Sequence, residues 1–369
     1  MLLIIPASGC SVFLLSDGNT SLVGRNFDWI SDYATVRADS PGVAKTSLYV
    51  NSSLTPARWT TKYRTLTIDG GLIITQDYGN LTTQTDGINE KGLYAGGLWI
   101  HPPPEVKYPD PDGRPVLTPP MVVPWILDNY ATVDEAVTGF SDVQVTSLVT
   151  DATPITNHWF IADRSGDSAI IEFPAGNLSI IRRAEPPVMT NHFQVWGKEA
   201  SRNYTSHGGT LPVPFGKMPT TLNRSLIADA LVKKETQDGN VTAPAAFSIL
   251  DAVSQHTSGQ ARYSSATPTQ WSVVYDLNNK SLEWQMHENI TYFSVAMDQV
   301  QFCTGSPVRI IPLHPGSSGD IHGLMPSCEA TETRPGTPIP TARTPVSPVT
   351  WVAVLMSILV IRHYTAGKR

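Results

Sequence analysis

Cysteine is scarce in this chain of 369 residues, with only Cys10, Cys303 and Cys328. There is no Cys-X-X-Cys pair and no His-Glu-X-X-His run, so the common zinc frameworks are excluded and no metal or other cofactor is expected. A Gly-X-Gly-X-X-Gly turn, a phosphate-binding glycine loop and a Gly-X-Ser-X-Gly elbow are all missing, which leaves nucleotide-binding and α/β-hydrolase readings without support. Charge is sparse at 16% and lacks a basic excess: 26 Lys and Arg stand against 32 Asp and Glu, for a net charge of −6. A nucleic-acid partner, which needs a basic face, is therefore not expected. Long apolar runs are also wanting. Residues 349–361 fall short of the ~20 apolar residues that a membrane span needs, unless the uncharged stretch from Thr344 is included.

What the chain does contain centres on residues 10–29. Hydrophobic residues make up 41% of the whole, enough for a substantial core. Residues 10–15 form a short apolar run, 16–21 a turn cluster, and 22–29 a second run with strand-like content, which together read as a β-hairpin. Folding about Gly18 and Asn19 sets Cys10 opposite Phe27, within one residue, and brings Arg25, Asn26 and Asp28 around the sulfur. A slip of one residue would exchange the faces, so proximity is expected and a defined face is not. A thiol flanked by a guanidinium and a carboxylate is a setting in which a thiolate can be held and aimed.

Nine residues precede Cys10, apolar and then small, ending Ala7-Ser8-Gly9 as a cleavage site requires. Cut there, Cys10 would carry both a thiol and a free α-amine. That amine has an ordinary pKa of about 7.7–8.0, so it can accept the proton of its own nucleophile without a histidine. The leader is short for a signal peptide and has no charged n-region. A lipid-modified Cys10 is the alternative, and it would block the amine and abolish this chemistry.

Cys10, followed by Gly24-Arg25-Asn26-Phe27-Asp28-Trp29, resembles the start of the choloylglycine hydrolase and penicillin V acylase family of N-terminal-nucleophile amidases. Further stretches match in order: Trp59-Thr60-Thr61-Lys62-Tyr63, residues 86–93, Tyr108-Pro109-Asp110, Leu127-Asp128-Asn129, residues 165–172 and Thr190-Asn191. The resemblance runs from Cys10 to about Trp284. It implies an α+β fold, a four-layer αββα sandwich. Asn191 is implied as a side-chain donor to the oxyanion, and Trp99 as a backbone N–H donor. Trp99 places the chain nearer the acylases than the bile salt hydrolases. Trp29 and Trp99 are candidates for an acyl pocket, with burial in the core as the other reading. The family also has a later arginine that opens a helix. Threonines hold the aligned places here, so Arg224 fills that role only if the alignment shifts.

Farther along, residues 101–124 are too rich in proline for a regular helix or central strand and read as a lid or a solvated excursion. Helices are expected at 124–130, after the capping pair Thr132 and Glu135, and at 222–234 and 244–255. Strands are expected over 143–183, with a hairpin turn at 164–167, and over 271–276 and 281–286. Glu172 and His192 read as structural residues. Asn19, Asn51, Asn80, Asn177, Asn203, Asn223, Asn240, Asn279 and Asn289 each begin an Asn-X-Ser/Thr sequon, which points to the secretory pathway and an extracellular or cell-surface location. In such a compartment Cys303 and Cys328 could pair.

The expected organisation is a leader at 1–9, an amidase domain at 10–306, a Thr/Pro-rich stalk at 307–348 and a single membrane anchor at 349–361. The expected function is hydrolysis of a linear, non-peptide amide in a small N-acyl compound. Cys10 is the nucleophile, positioned by Arg25 and Asp28. An N-acyl transferase on the same site and a non-catalytic anchored glycoprotein are the alternatives. Whether the chain acts alone or as a homo-oligomer is left open.

Overall fold

A computed structural model of the chain describes residues 9–29, 34–48, 53–75, 79–100, 108–147, 156–185, 187–216, 220–255, 268–287, 291–305, 308–312, 318–326 and 328, the side chains of 71–82 excepted. The expected leader, most of the stalk, the anchor, Asn51, Asn289 and the first part of the proline-rich segment lie outside these residues. The chain forms one compact unit through Thr331, and residues 332–369 are a second unit outside the described residues.

The architecture follows from strands that are apolar on both faces. Along Ser11–Ser16, Val12 and Leu14 point one way into one core cluster, and Phe13 and Leu15 point the other way into a second. Along Asn157–Asp163, Phe160 and Ala162 share the first cluster, and Trp159 and Ile161 enter a third. A sheet buried on both faces must be covered on both. The seven-stranded sheet runs Val188–Met189, Ser11–Ser16, Ser21–Asp28, Thr269–Asp276, Ser281–Met286, Thr291–Ala296, Gly319–Asp320. The eight-stranded sheet runs Ser179–Arg182, Ser168–Glu172, Asn157–Asp163, Leu93–Trp99, Gly79–Asn89, Thr65–Thr75, Ala34–Asp39, Arg309–Pro312. The two sheets pack face to face through the first cluster, which holds Val12, Val23, Val36, Ile88, Phe160 and Trp271.

Helices complete the layers. The helices α1 (Pro119–Asn129) and α2 (Val133–Gly139) lay Ile126, Val133 and Ala136 on the outer face of the eight-stranded sheet. Helix α3 (Gln194–Ser201) follows Asn191. The helices α4 (Thr221–Gln237) and α5 (Ala243–Ala252) lay Ile227, Val232, Ala246 and Ile249 on the outer face of the seven-stranded sheet. The result is the four-layer αββα sandwich that the family resemblance implied.

Helix α1 begins five residues before its expected start at Pro124, because Pro119 and Pro120 sit in its first positions, where no backbone N–H is needed. Thr132 accepts a hydrogen bond from the Glu135 N–H at 3.2 Å, as the capping pattern predicts, but the Glu135 carboxylate reaches the Ala131 N–H instead of completing the box. Within the proline-rich segment, Val116–Leu117 pairs in parallel with Gln144–Val145.

The expected domain end at residue 306 is too early. Arg309–Pro312 pairs antiparallel with Ala34–Asp39, and Gly319–Asp320 pairs parallel with Thr291–Ala296. Each strand covers an open sheet edge whose backbone groups need partners. Cys303 and Cys328 are joined, with Cα atoms 5.7 Å apart, and tie this extension to the folded body.

Candidate active site

The hairpin register puts Ser11 against Asn26 and Val12 against Arg25, and one step back sets Cys10 against Phe27, as its sequence predicts. Cys10 is the free cysteine and is 5% exposed. Alternation then sorts the second strand. Arg25 turns inward between the sheets, and its Nη2 donates to the Gly97 carbonyl at 3.0 Å. Its Nε lies 3.5 Å from Asp86, which also accepts from the Tyr275 hydroxyl at 2.9 Å. Asn26 turns the other way: it donates to the Leu250 carbonyl at 2.8 Å and accepts from the Ser272 hydroxyl at 2.6 Å. The expectation that Asn26 lies around the sulfur therefore fails. Its side chain fastens the strand to α5.

Asp28 sits at the end of the same strand, fully buried. Its carboxylate accepts from the Thr269 hydroxyl and the Gln255 amide, each at 2.6 Å, and Arg224 approaches to 3.5 Å. Burial pushes Asp28 up from the usual carboxylate value, while Arg224 and the two donors hold it back. Burial likewise pushes the Cys10 thiol up. The Arg25 charge opposes this rise, the Asp28 carboxylate adds to it, and the Asp28 backbone N–H and Arg224 pull it back. The net direction is up, so burial outweighs the two guanidinium groups and the backbone donor, and Cys10 rests as the thiol.

Arg224 corrects the sequence reading. Threonines at the aligned positions had put its role in doubt, yet the residue is fully buried in the site. Nη1 donates to the Cys10 carbonyl and to the Ser11 hydroxyl, both at 2.7 Å, and Nη2 donates to Asn191 Oδ1 at 2.9 Å. Burial pulls this guanidinium down, and Asp28 and Cys10 raise it in return. The reason lies in the helix. Thr220 caps α4, Thr221 opens it, and Arg224 follows three residues later on the same face. Both face Asn191: the Thr221 hydroxyl accepts from the Asn191 backbone N–H at 2.9 Å.

The Asn191 amide is held at both ends. Oδ1 is fixed by Arg224, and Nδ2 donates to the Trp99 carbonyl at 2.6 Å. An amide nitrogen carries two N–H groups, so a second donor remains. Next to Trp99, the Ile100 N–H bonds to the Thr156 carbonyl, one residue before the neighbouring strand Asn157–Asp163. In an antiparallel ladder the N–H and C=O of one residue project to the same edge and alternate with those of the next. The Trp99 N–H therefore projects toward the edge where its carbonyl meets Asn191. Trp29 and Trp99, both half-buried, meet edge to face with centroids 6.1 Å apart, and the Trp29 indole N–H has no partner among the described residues.

Gly9 still occupies this site. Its carbonyl accepts from the Gln255 amide at 3.1 Å, and a Cβ added to it would fall 2.1 Å from the Asn191 side chain. In the chain as it stands, the Cys10 nitrogen is a peptide nitrogen, and residue 9 lies against the asparagine.

The expected residues Cys10, Arg25, Asp28, Asn191, Trp99 and Trp29 are thus gathered at one place, and Arg224 joins them. Thr221, Gln255 and Thr269 were not anticipated. Thr269 is legible only through its pairing with Asp28 across the sheet, and Gln255 carries no sequence signal. Glu172 bonds His158 at 3.2 Å and accepts the Gln194 N–H at the start of α3 on both carboxylate oxygens, a structural role as read. No group of three His, Cys, Asp or Glu suited to a metal occurs among the described residues.

A family model described as linear amide C–N hydrolases, choloylglycine hydrolase family, matches residues 10–309. A penicillin V acylase of Pectobacterium atrosepticum is 32% identical over 191 residues, 49% of this chain and 49% of that protein. A bile salt hydrolase/transferase of Clostridium perfringens is 31% identical over 125 residues, 33% of this chain and 36% of that one. The chain thus spans about half or less of the curated relatives it matches. Among solved structures, penicillin V acylase from Agrobacterium tumefaciens superposes with a TM-score of 0.69 at 24% identity, covering 86% of this chain and 96% of that one. A variant of conjugated bile acid hydrolase from Clostridium perfringens gives 0.68 at 20% identity, covering 84% and 98%. At that identity the two superpositions establish the shared fold.

Proposed function

Because the chain belongs to the choloylglycine hydrolase family of linear amide C–N hydrolases, we propose that it hydrolyses the amide bond of a small N-acyl compound, with Cys10 as an N-terminal nucleophile. The observation that carries this reading is the convergence of Arg25, Asp28, Arg224 and Asn191 on the free Cys10.

Removal of residues 1–9 frees the Cys10 α-amine and clears Gly9 from the face of Asn191. The amine takes the thiol proton, and the sulfur attacks the amide carbonyl. Negative charge builds on the carbonyl oxygen. The second N–H of Asn191 and the Trp99 backbone N–H receive it, and each such donor is worth about 2.7–4 kcal/mol. Arg224 prevents the Asn191 amide from flipping, because its guanidinium has donors only and requires Oδ1 to face it. The ammonium returns its proton to the leaving amine, an acyl-thioester remains, and water attacks it to release the acid. Trp29 and Trp99 offer aromatic faces to the acyl group.

The test is turnover by the mature chain of N-acyl substrates, beginning with penicillin V and conjugated bile acids, the compounds in the names of its relatives. A pre-steady-state burst of amine and a new N-terminus at Cys10 are expected. Cys10→Ser should keep the fold and abolish turnover; undiminished turnover refutes the assignment. A second reading, acyl transfer to an added amine in place of water, draws support from the hydrolase/transferase relative. New amide product on addition of a free amine would identify it.

A further inference from the structure

The sequons are not absorbed by the amidase reading, and the fold sorts them. Asn19 lies in the turn between Ser11–Ser16 and Ser21–Asp28, Asn279 in the turn between Thr269–Asp276 and Ser281–Met286, and Asn240 in the connection from α4 to α5. All three are exposed. The two turns are adjacent: the Ser21 N–H donates to Asn278 Oδ1 at 2.8 Å, and the Leu277 N–H donates to the Ser21 carbonyl at 3.0 Å. Residues of all three sequons (Thr20, Val241, Thr242, Asn279, Ser281) line one groove of about 290 Å³, with Leu22 and Val274 among its apolar walls. In the Asn240 sequon the Thr242 hydroxyl already donates to Asn240 Oδ1 at 3.1 Å.

This end of the seven-stranded sheet is the far end from the nucleophile. Cys10 precedes the strand Ser11–Ser16 and the turn follows it, a separation of about 20 Å at ~3.3 Å per residue. Asn223 is the contrasting case: it is half-buried in the first turn of α4, one residue before Arg224, where a sugar would press on the site wall. The Cys303–Cys328 pair is a second, independent mark of an oxidising compartment.

We propose that Asn19, Asn240 and Asn279 carry N-linked glycans that together cover this end of the sheet, and that Asn223 carries none. In the modification, Nδ2 of each asparagine forms a bond to the anomeric carbon of an oligosaccharide and loses one proton. The bond from that carbon to the diphosphate of a lipid-linked donor breaks, and the lipid diphosphate leaves. The proposal does not depend on the amidase reading, since neither the groove nor the Asn19, Asn240 and Asn279 sequons that line it include a residue of the Cys10 site.

The test is the full chain secreted from a eukaryotic host, treated with peptide N-glycosidase in ¹⁸O-water and mapped by mass spectrometry. Heavy aspartate is expected at 19, 240 and 279, and unmodified asparagine at 223. Unmodified asparagine at any of the first three, or a glycan at Asn223, overturns the proposal. A triple variant, Asn19→Gln with Asn240→Gln and Asn279→Gln, should lose three glycans in mass and keep kcat/KM within about twofold. A larger fall in a variant with unchanged circular dichroism would also overturn it, because it would put the sugars within reach of the site.

Discussion

Two residues that pack around Asn191 and Thr221, the buried Arg224 and the half-buried His192, carry most of the risk at the level of single side chains. Arg224 is the cation that compensates Asp28 while it orients Asn191. Breaking a buried pair by removing one partner costs about 3–5 kcal/mol, because the other charge is stranded. Arg224→Met should therefore lower the urea midpoint markedly and cut kcat. Adding Asp28→Asn to it should restore part of the stability and none of the rate, since Asn191 remains unheld. Recovery of rate by the second change would show that Arg224 acts only through charge. His192 sets the acid limit. Its ring is hemmed in by the Thr190 and Thr221 hydroxyls, at 3.1 and 3.0 Å, and by Gly197. Burial first, then His158 and Arg224, push it down to about 4. The unfolded ring titrates near 6.5, so the folded value is depressed and the unfolded state binds the proton first. The stabilisation is complete above about pH 6.5, drains away as the pH falls toward 4, and amounts to about 3 kcal/mol. Urea midpoints between pH 7 and 4 should fall in the parent chain and stay flatter in His192→Gln. Equal slopes would assign the acid sensitivity to other groups.

Among elements, the hairpin was the most legible and α4 the least. A turn cluster between two apolar runs fixes a register by counting, and the count placed Cys10 against Phe27. The helix Thr221–Gln237 was expected from its periodicity, but periodicity does not say which strand the first turn will meet. Arg224 became interpretable only once that turn lay over Cys10 and Ser11. Several motif residues that carried the family resemblance hold the scaffold. Asn89 donates to the carbonyls of Leu127 and Tyr130 and accepts from the N–H groups of Lys91 and Leu93. Asp128 accepts from the Trp59 indole at 2.7 Å and pairs with Lys45 at 2.9 Å. Gly24 shows how tightly the hairpin is packed: a Cβ there would fall 2.3 Å from the Phe13 ring. Overpacking of this kind costs typically about 1–3 kcal/mol. Gly24→Ala should therefore lower the denaturant midpoint without a change in m-value, and Phe13→Leu should partly rescue it. A neutral Gly24→Ala would mean that the strand has room the packing does not suggest.

For the molecule as a whole, the family resemblance implied the four layers, and neither it nor local pattern reached the chain's last folded segment. Arg309–Pro312 and Gly319–Asp320 are four and two residues long, bounded by glycine and proline, and have no periodicity to read. Their identity as strands comes from the edges they meet, Ala34–Asp39 and Thr291–Ala296, which are distant in sequence. The Cys303–Cys328 bond closes this segment over a separation of 25 residues. Cross-linking a loop of that size removes unfolded-state entropy worth about 3.5 kcal/mol in the chain-entropy model. Both sheets lose an edge strand if the segment peels away, while Cys10 and its partners lie elsewhere: beside Ser11–Ser16, on Ser21–Asp28 and α4, at the end of Leu93–Trp99, and just after Val188–Met189 at the opposite edge of the seven-stranded sheet. Cys303→Ser should therefore lower the thermal midpoint and speed proteolysis after residue 305, yet leave kcat at 25 °C within about twofold of the parent. Reducing agent should reproduce the loss of stability in the parent and do nothing further to the variant. If the variant instead lost turnover at full folding, the edge strands would have to be supporting the nucleophile across the sheets, and the separation of stability from catalysis drawn here would be wrong.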